Sequence, residues 1–295
     1  MRLNVNSAWR QALFSFTPQA RPSRLPPARP AQRARPTTWG EGEDLLKSAA
    51  FAALALALGL GPPATALAEP TLAIALYAKP SNRPALRAAL QGEQAQRLRT
   101  MRKQGLIKSY RLLFTRYADA GVWDGLELLS FRDEAALSQW KAVERTSPGG
   151  LAATALGLTD QVVSTPADSA RSGGEPHETA EPAFLVIPYQ ASVSTPEYLK
   201  YLDGYTVPQF DGWVAEHILN GYEIEISRFP ADRPWVSLIL LRYRDDAALA
   251  RRDETTAKVR ARLGGNPAWK AISDNKKSVR TEKVAAVADQ LAAEN

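Results

Sequence analysis

The sequence predicts an α+β fold made of two tandem units, each with the element order β-α-β-β-α-β. Three observations predict it. Residues 71–137 align with residues 183–249 at a constant offset of 112, without a gap. Each copy alternates short apolar runs of strand length with runs of helical period. The third strand of each copy is apolar on both faces, so both of its faces must be covered.

The repeat is clearest around that third strand. Residues 123–137 read WDGLELLSFRDEAAL, and residues 235–249 read WVSLILLRYRDDAAL. The period is far longer than that of solenoid repeats, so it indicates a duplicated domain and not an array. Further identical pairs are Tyr77/Tyr189, Gly92/Gly204, Tyr110/Tyr222, Arg116/Arg228 and Trp123/Trp235.

The elements of each copy follow in a fixed order. The first strand, 71–78 or 183–190, precedes a helix whose first turn holds Pro84 or Pro196, a position that proline suits. A β-hairpin comes next, and then a second helix with an aspartate as its predicted N-cap. These N-caps are Asp133 and Asp245, and the final strands are predicted at 160–166 and 278–287. This order is the ferredoxin-like topology.

A secretory signal peptide is predicted at residues 47–68. It has the charged flank Lys47, an apolar run of about a dozen residues, a Gly-Pro-Pro break and small residues before Glu69. We expect cleavage between Ala68 and Glu69, hence a periplasmic or secreted protein. The apolar run is too short for a permanent anchor, which needs roughly 20 residues.

The remaining boundaries follow from composition. Residues 1–46 are rich in proline and arginine, which indicates a disordered extension or a misplaced translation start, with a transit peptide as the minority alternative. The ferredoxin-like repeats are predicted at 69–166 and 183–295. Residues 167–182, rich in Gly, Pro and Ser, are predicted to be the linker between them.

The charge distribution argues against nucleic-acid binding. The chain carries a formal net charge of +6, but residues 1–68 hold eight of its 37 basic and three of its 31 acidic side chains, which leaves 29 and 28. The body is therefore near neutral and has no general attraction for phosphate backbones. With no cysteine, the chain has no disulfide or thiolate chemistry, and its scattered acids and two histidines predict no metal site. The sequence leaves the oligomeric state open.

A repeated ferredoxin-like unit with a doubly buried central strand resembles the dimeric α/β-barrel superfamily, with both copies fused into one chain. The resemblance rests on topology and pattern, and it covers roughly 71–166 and 183–287. It implies an intrachain α/β barrel of two facing four-stranded sheets with the helices outside. The superfamily includes cofactor-free monooxygenases, isomerases, heme-binding peroxidases and stress proteins, so the fold does not select a function.

Candidate ligand-binding residues come mainly from the repeat. They are Tyr110, Tyr222, Arg116, Arg228, Trp123 and Trp235, together with Glu223 and Glu225 on the second strand of the second copy. A carboxylate inside a barrel gains a raised pKa from burial and can act as a base. His217, present in the second copy only, is the candidate heme ligand that the resemblance implies. No other cofactor is predicted.

The function predicted from these features is binding of a small apolar or aromatic molecule by an exported α/β barrel. Tyr198, Tyr201, Tyr205, Phe210 and Trp213 on one helix are typical of core packing, but they could also wall a ligand cleft. Two alternatives remain: an enzyme, either a cofactor-independent monooxygenase or isomerase or a heme-binding peroxidase, and a structural protein with a filled barrel. A cavity that holds Glu223 or Glu225 beside tyrosines favours the enzyme. The copies diverge most after residue 249, where asymmetry is expected.

Overall fold

The computed structural model describes residues 69–174 and 181–295. We call residues 69–174 the first half and residues 181–295 the second half. The predicted extension 1–46 and signal peptide 47–68 lie outside the described residues. Part of the predicted linker, 175–180, also lies outside them.

Each half contains four long strands and two helical regions, one after the first strand and one after the third. The first half consists of β1 (Glu69–Tyr77), α1 (Arg83–Ala89), a π-helical segment (Leu90–Gln94), α2 (Ala95–Lys103), β2 (Ser109–Thr115), β3 (Gly125–Ser130), α3 (Glu134–Thr146), a 3-10 turn (Pro148–Gly150), α4 (Ala153–Leu158) and β4 (Gln161–Gly174). The second half consists of β5 (Ala183–Ala191), α5 (Thr195–Tyr201), a π-helical segment (Leu202–Thr206), α6 (Val207–Ala215), β6 (Leu219–Ser227), β7 (Ser237–Tyr243), α7 (Asp246–Ala250), α8 (Arg252–Leu263), α9 (Pro267–Val279), β8 (Arg280–Glu282) and β9 (Ala286–Glu294).

Eight of these strands form a closed antiparallel barrel. Their order is β7-β6-β4-β1-β3-β2-β9-β5, and pairing between β5 and β7 closes the ring. The short strand β8 adds to β5 outside the ring. The chain is therefore a mixed α/β protein whose barrel has no free edge among these eight strands.

Two seams join the halves. Along one, β4 pairs with β6 from Ala167↔Ser227 to Gly174↔Gly221. Along the other, β2 pairs with β9 from Tyr110↔Glu294 to Thr115↔Ala288. Because each seam uses strands from both halves, neither half closes the barrel without the other.

The strand alternation separates an inner core from two outer ones. In β7, Leu238 and Leu240 point into the barrel with Phe184, while Ile239 and Leu241 pack under the helices. This confirms the prediction that the third strand is covered on both faces. The N-cap predictions are also confirmed, since Asp133 and Asp245 accept hydrogen bonds from backbone N–H groups three residues on.

The predicted bounds of the final strand of each half were wrong. Strand β4 continues to Gly174, into the stretch assigned to the linker, because its second part pairs with β6. The last strand was predicted at 278–287, but helix α9 runs to Val279 and β9 occupies Ala286–Glu294. Pairing with both β2 and β5 makes the alanine-rich tail extended, so tertiary context overrides low strand propensity. No helix in the described ranges is both long and apolar enough to span a bilayer.

Candidate functional site

Of the four cavities described here, the largest lies in the second half, between the outer face of the sheet and its helices. Its volume is about 440 Å³. We call it the aromatic cleft. Its lining residues are Ile187, Tyr189, Tyr205, Gln209, Phe210, Trp213, Leu241, Arg252, Arg260, Lys276, Lys277, Arg280, Thr281 and Glu282.

The walls of the aromatic cleft are packed rings. Phe210 and Trp213 lie 5.1 Å apart between ring centroids, and Tyr205 stacks on Trp269 at 5.1 Å. Tyr205 also contacts Tyr201 at 5.3 Å. The π-helical segment shifts the helix register just before α6, so rings on both sides of it face the sheet. The result is a wall of packed aromatic rings.

Two guanidinium groups of the cleft keep buried nitrogens without an acceptor. Arg252 lies over the ring of Trp213 at 5.6 Å, and its Nε has no hydrogen-bond partner among the described residues. Arg280 lies 3.9 Å from the centroid of Tyr189, and its Nη1 is likewise unsatisfied within the described ranges. A buried donor without an acceptor costs about 1–3 kcal/mol, so both sites favour an incoming acceptor.

Tyr189 is held in its neutral form at the cleft. Burial raises the pKa of its hydroxyl above the ordinary value, and the nearby Glu282 carboxylate adds to that rise while Arg280 opposes it. The hydroxyl donates a hydrogen bond of 2.9 Å to Glu282 Oε2. The Tyr189 hydroxyl thus occupies one acceptor position of the Glu282 carboxylate.

The same region of the first half is filled by aliphatic side chains. At the offset of 112, Tyr198, Phe210 and Trp213 correspond to Leu86, Leu98 and Met101. All three aliphatic residues are buried in the core of the first half. The cleft is therefore a property of the second half, and helices α8 and α9, where the copies diverge, supply its cationic side.

Three of the predicted ligand-binding residues meet at one end of the barrel, around a cavity of about 200 Å³. Tyr110, Glu223 and Glu225 line this polar cavity with Arg111. Arg111 Nη1 donates to both carboxylate oxygens of Glu223, at 2.5 and 2.6 Å. Tyr222 lines an adjoining cavity of about 220 Å³ with Glu223.

Glu225 is the buried acid of the polar cavity. Its Oε2 accepts a hydrogen bond of 2.5 Å from the hydroxyl of Thr71. Burial raises the pKa of Glu225 to about 8, against the lowering effect of the Thr71 hydrogen bond. At neutral pH the carboxyl is therefore largely protonated.

Trp123 and Trp235 meet at another cavity inside the barrel, of about 230 Å³. We call it the tryptophan cavity; its lining also includes Ala73, Ala75, Leu126, Thr165, Leu238 and Val284. Each tryptophan precedes the inner strand of one half, β3 or β7. The structure thus brings together a pair that the sequence places 112 residues apart.

Arg116 and Arg228 line none of these cavities and instead connect the halves. Arg116 forms ion pairs with Asp246 and Asp289 of the second half. Arg228 forms ion pairs with Glu134 and Asp168 of the first half. Their shared position in the repeat therefore reflects an equivalent structural contact.

His217 does not fit the role of a heme ligand. It follows the end of α6 at Ala215 with a left-handed φ of 54°, opposite Gly105 with φ of 73° in the first half. Its side chain is exposed, and it lines none of the four cavities described above. The other histidine, His177, lies outside the described residues, so the described part of the chain places no histidine at any of these four cavities.

Sequence reasoning missed the two arginines that define the cleft. The sequence indicates Arg252 only as part of the divergent stretch after residue 249, and the predicted strand 278–287 gives Arg280 no role. Tyr189 appeared as one of a repeated pair. Only the aromatic run from Tyr198 to Trp213 signalled a cleft wall.

Comparisons with known proteins return no family model and no curated protein that matches this chain. Solved structures do match. An anthrone oxidase-like protein is 12% identical, with 77% of this chain and 92% of that chain covered and a TM-score of 0.49. A heme-binding protein from Thermus thermophilus is 10% identical, with coverages of 76% and 91% and a TM-score of 0.42. A substituted variant of chlorite dismutase from Candidatus Nitrospira defluvii is 7% identical, with coverages of 75% and 91% and a TM-score of 0.43.

Proposed function

We propose that this protein binds a small aromatic anion in the aromatic cleft. The observation that carries the proposal is that one buried nitrogen of each of two arginines, Arg252 Nε and Arg280 Nη1, lacks an acceptor in the described structure, while both side chains line a ring-walled cavity. The ring of such a ligand packs against the aromatic walls of the cleft. Its carboxylate or phenolate oxygen accepts hydrogen bonds from the two arginines.

The excess of basic side chains in the lining supports the binding of an anion. Five basic side chains line the cleft, against one carboxyl, Glu282. Arg280 is stacked on Tyr189, and its buried Nη1, which has no acceptor among the described residues, can donate to a ligand carboxylate in the plane of the guanidinium. A volume of about 440 Å³ lies in the range of small-molecule sites, about 300–1,000 Å³, and accommodates a bicyclic ring.

Replacing Arg280 is expected to weaken binding of an aromatic acid selectively. We expect 2-naphthoate to bind at least about ten-fold more tightly than its neutral analogue 2-naphthamide, since charged hydrogen bonds in a dry site contribute about 1.5–3 kcal/mol. In Arg280→Gln, the affinity for 2-naphthoate falls about ten-fold or more and that for the amide changes little. Isothermal titration calorimetry measures both.

A matched control lies on helix α8. Arg262 pairs with Glu216 at the surface and does not line the cleft, so Arg262→Gln should bind 2-naphthoate like the wild type. Equal affinities for acid and amide, or an equal loss in both variants, would mean that no directed anion site exists.

The polar cavity favours a second candidate, a cofactor-independent isomerase or oxygenase. Glu225 has a pKa of about 8 owing to burial and lines a cavity that also holds Tyr110. A carboxyl poised near neutral pH can both donate and accept a proton. The structural alternative, a solidly filled barrel, does not account for the cavities at Glu225 and at Trp123.

We further propose that the chain is exported and arose by duplication. The predicted signal peptide 47–68 supports export. The strand order β4-β1-β3-β2 in the first half matches β9-β5-β7-β6 in the second. The π-helical segments at Leu90–Gln94 and Leu202–Thr206 recur at the same offset of 112, which supports two ferredoxin-like repeats.

A further inference from the structure

We infer that the tryptophan cavity is a second, separate binding site, for a neutral flat apolar molecule that carries one hydrogen-bonding group. The cavity lies inside the barrel, whereas the aromatic cleft lies outside it under the helices. The inference does not depend on the proposed function of the cleft.

The cavity exists because small residues face the barrel axis near one end. Ala73 and Ala75 on β1 leave space that the larger Leu126 and Leu238 only partly fill. Trp123 and Trp235 are 8% and 6% exposed and cover this space from the two hairpins. An apolar cavity of about 150 Å³ holds benzene, so about 230 Å³ accommodates a bicyclic aromatic.

Thr165 sets the polarity of the ligand. Its side chain is 1% exposed and lines the cavity, and its Oγ1 has no hydrogen-bond partner within the described ranges. A ligand hydroxyl or ring N–H satisfies that buried hydroxyl. The charged residue of the lining is Lys283, next to Val284, which is 58% exposed at the rim. The interior therefore excludes ions, which marks the contrast with the arginine-lined cleft.

The rim provides an apolar entry. Val284 is one of three large hydrophobic side chains that stand exposed among the described residues. An exposed apolar side chain at the opening favours apolar over ionic ligands.

The test uses 2-naphthol, which is neutral at pH 7, and calorimetry with the cleft saturated by 2-naphthoate. We expect 2-naphthol still to bind with one-to-one stoichiometry, and Arg280→Gln to leave this binding unchanged. Ala75→Leu, which fills the cavity from β1, is expected to lower the affinity for 2-naphthol at least ten-fold while 2-naphthoate binds normally.

Thr165→Val provides a second variant that keeps the shape of the side chain. It is expected to reduce the preference for 2-naphthol over naphthalene about three- to ten-fold, the effect of one neutral hydrogen bond. Displacement of 2-naphthol by 2-naphthoate, failure of 2-naphthol to bind, or wild-type binding in both Ala75→Leu and Thr165→Val would overturn the inference. If only 2-naphthoate fails to bind, the cleft proposal falls and the same titrations without it still test this cavity.

Discussion

Replacing Glu127 and Glu225 by glutamine is expected to stabilise the protein at alkaline pH and to flatten the pH dependence of its stability. Both carboxyls are buried, and burial raises the pKa of each to about 8. Glu127 is fully buried under the π-helical segment of the first half, where Gln94 Nε2 donates to it at 3.3 Å. Its Oε1 has no partner in the described part of the chain.

Proton linkage sets the direction in which the free energy of unfolding changes with pH. In the unfolded chain both groups titrate near 4.5, so between pH 4.5 and about 8 unfolding releases protons that the folded protein retains. The free energy of unfolding therefore falls as the pH rises through this window and levels off above it. At about 1.4 kcal/mol per pH unit, each carboxyl costs on the order of 2–5 kcal/mol at pH 9.

Urea unfolding at pH 4, 6, 8 and 9 measures the effect. The glutamine variants should match the wild type at pH 4 and exceed it increasingly up to pH 9, with the double variant gaining most. Glu254→Gln on the exposed face of α8 is the surface control, expected to stay within about 0.5 kcal/mol of the wild type. If the free energy of unfolding of the double variant falls with pH as steeply as that of the wild type, neither carboxyl is buried as described.

Gly174→Ala is expected to disrupt one seam of the barrel. Gly174 ends β4 with φ of +108°, a conformation that side chains with a Cβ rarely adopt. A Cβ there would lie 2.3 Å from both the carbonyl oxygen of Asn220 and the Cα of Gly221. Both neighbours are backbone of β6, so no side-chain rotation relieves the overlap. We expect a loss of about 3 kcal/mol or more.

Gly157→Ala is the matched control. Gly157 lies in the helix α4, and a Cβ at this position meets no atom within 4 Å. This substitution should stabilise the protein by up to about 1 kcal/mol, because alanine favours helix. Denaturant unfolding of the two variants side by side gives the comparison. Similar stabilities would mean that β4 does not approach β6 as the seam requires.

Local signals predicted the strands and caps, but not where the strands end. Asp133 and Asp245 are recognisable as N-caps because an aspartate immediately before a helical pattern accepts a hydrogen bond from a free backbone N–H group of the first turn. Strand β4 runs eight residues further than predicted because β6, far along the chain, pairs with its second part. The extent of β9 likewise depends on partners in β2 and β5.

The candidate site was harder to predict because the repeat identifies only residues that both copies share. Arg116 and Arg228 recur since each half needs the same cross-connection, and Trp123 and Trp235 recur on equivalent hairpins. The cleft depends on residues without a counterpart. Arg280 and Trp213 lie 67 positions apart in the sequence, and no spacing rule predicts that they line one cavity.

A crystal structure with 6-bromo-2-naphthoate tests anion binding in the aromatic cleft directly, because the anomalous scattering of bromine locates the ring. We expect a bromine peak within the aromatic cleft beside Phe210 and Trp213, with the carboxylate within hydrogen-bond distance of Arg280. A peak in the tryptophan cavity or at the protein surface, with no density in the cleft, would contradict this expectation.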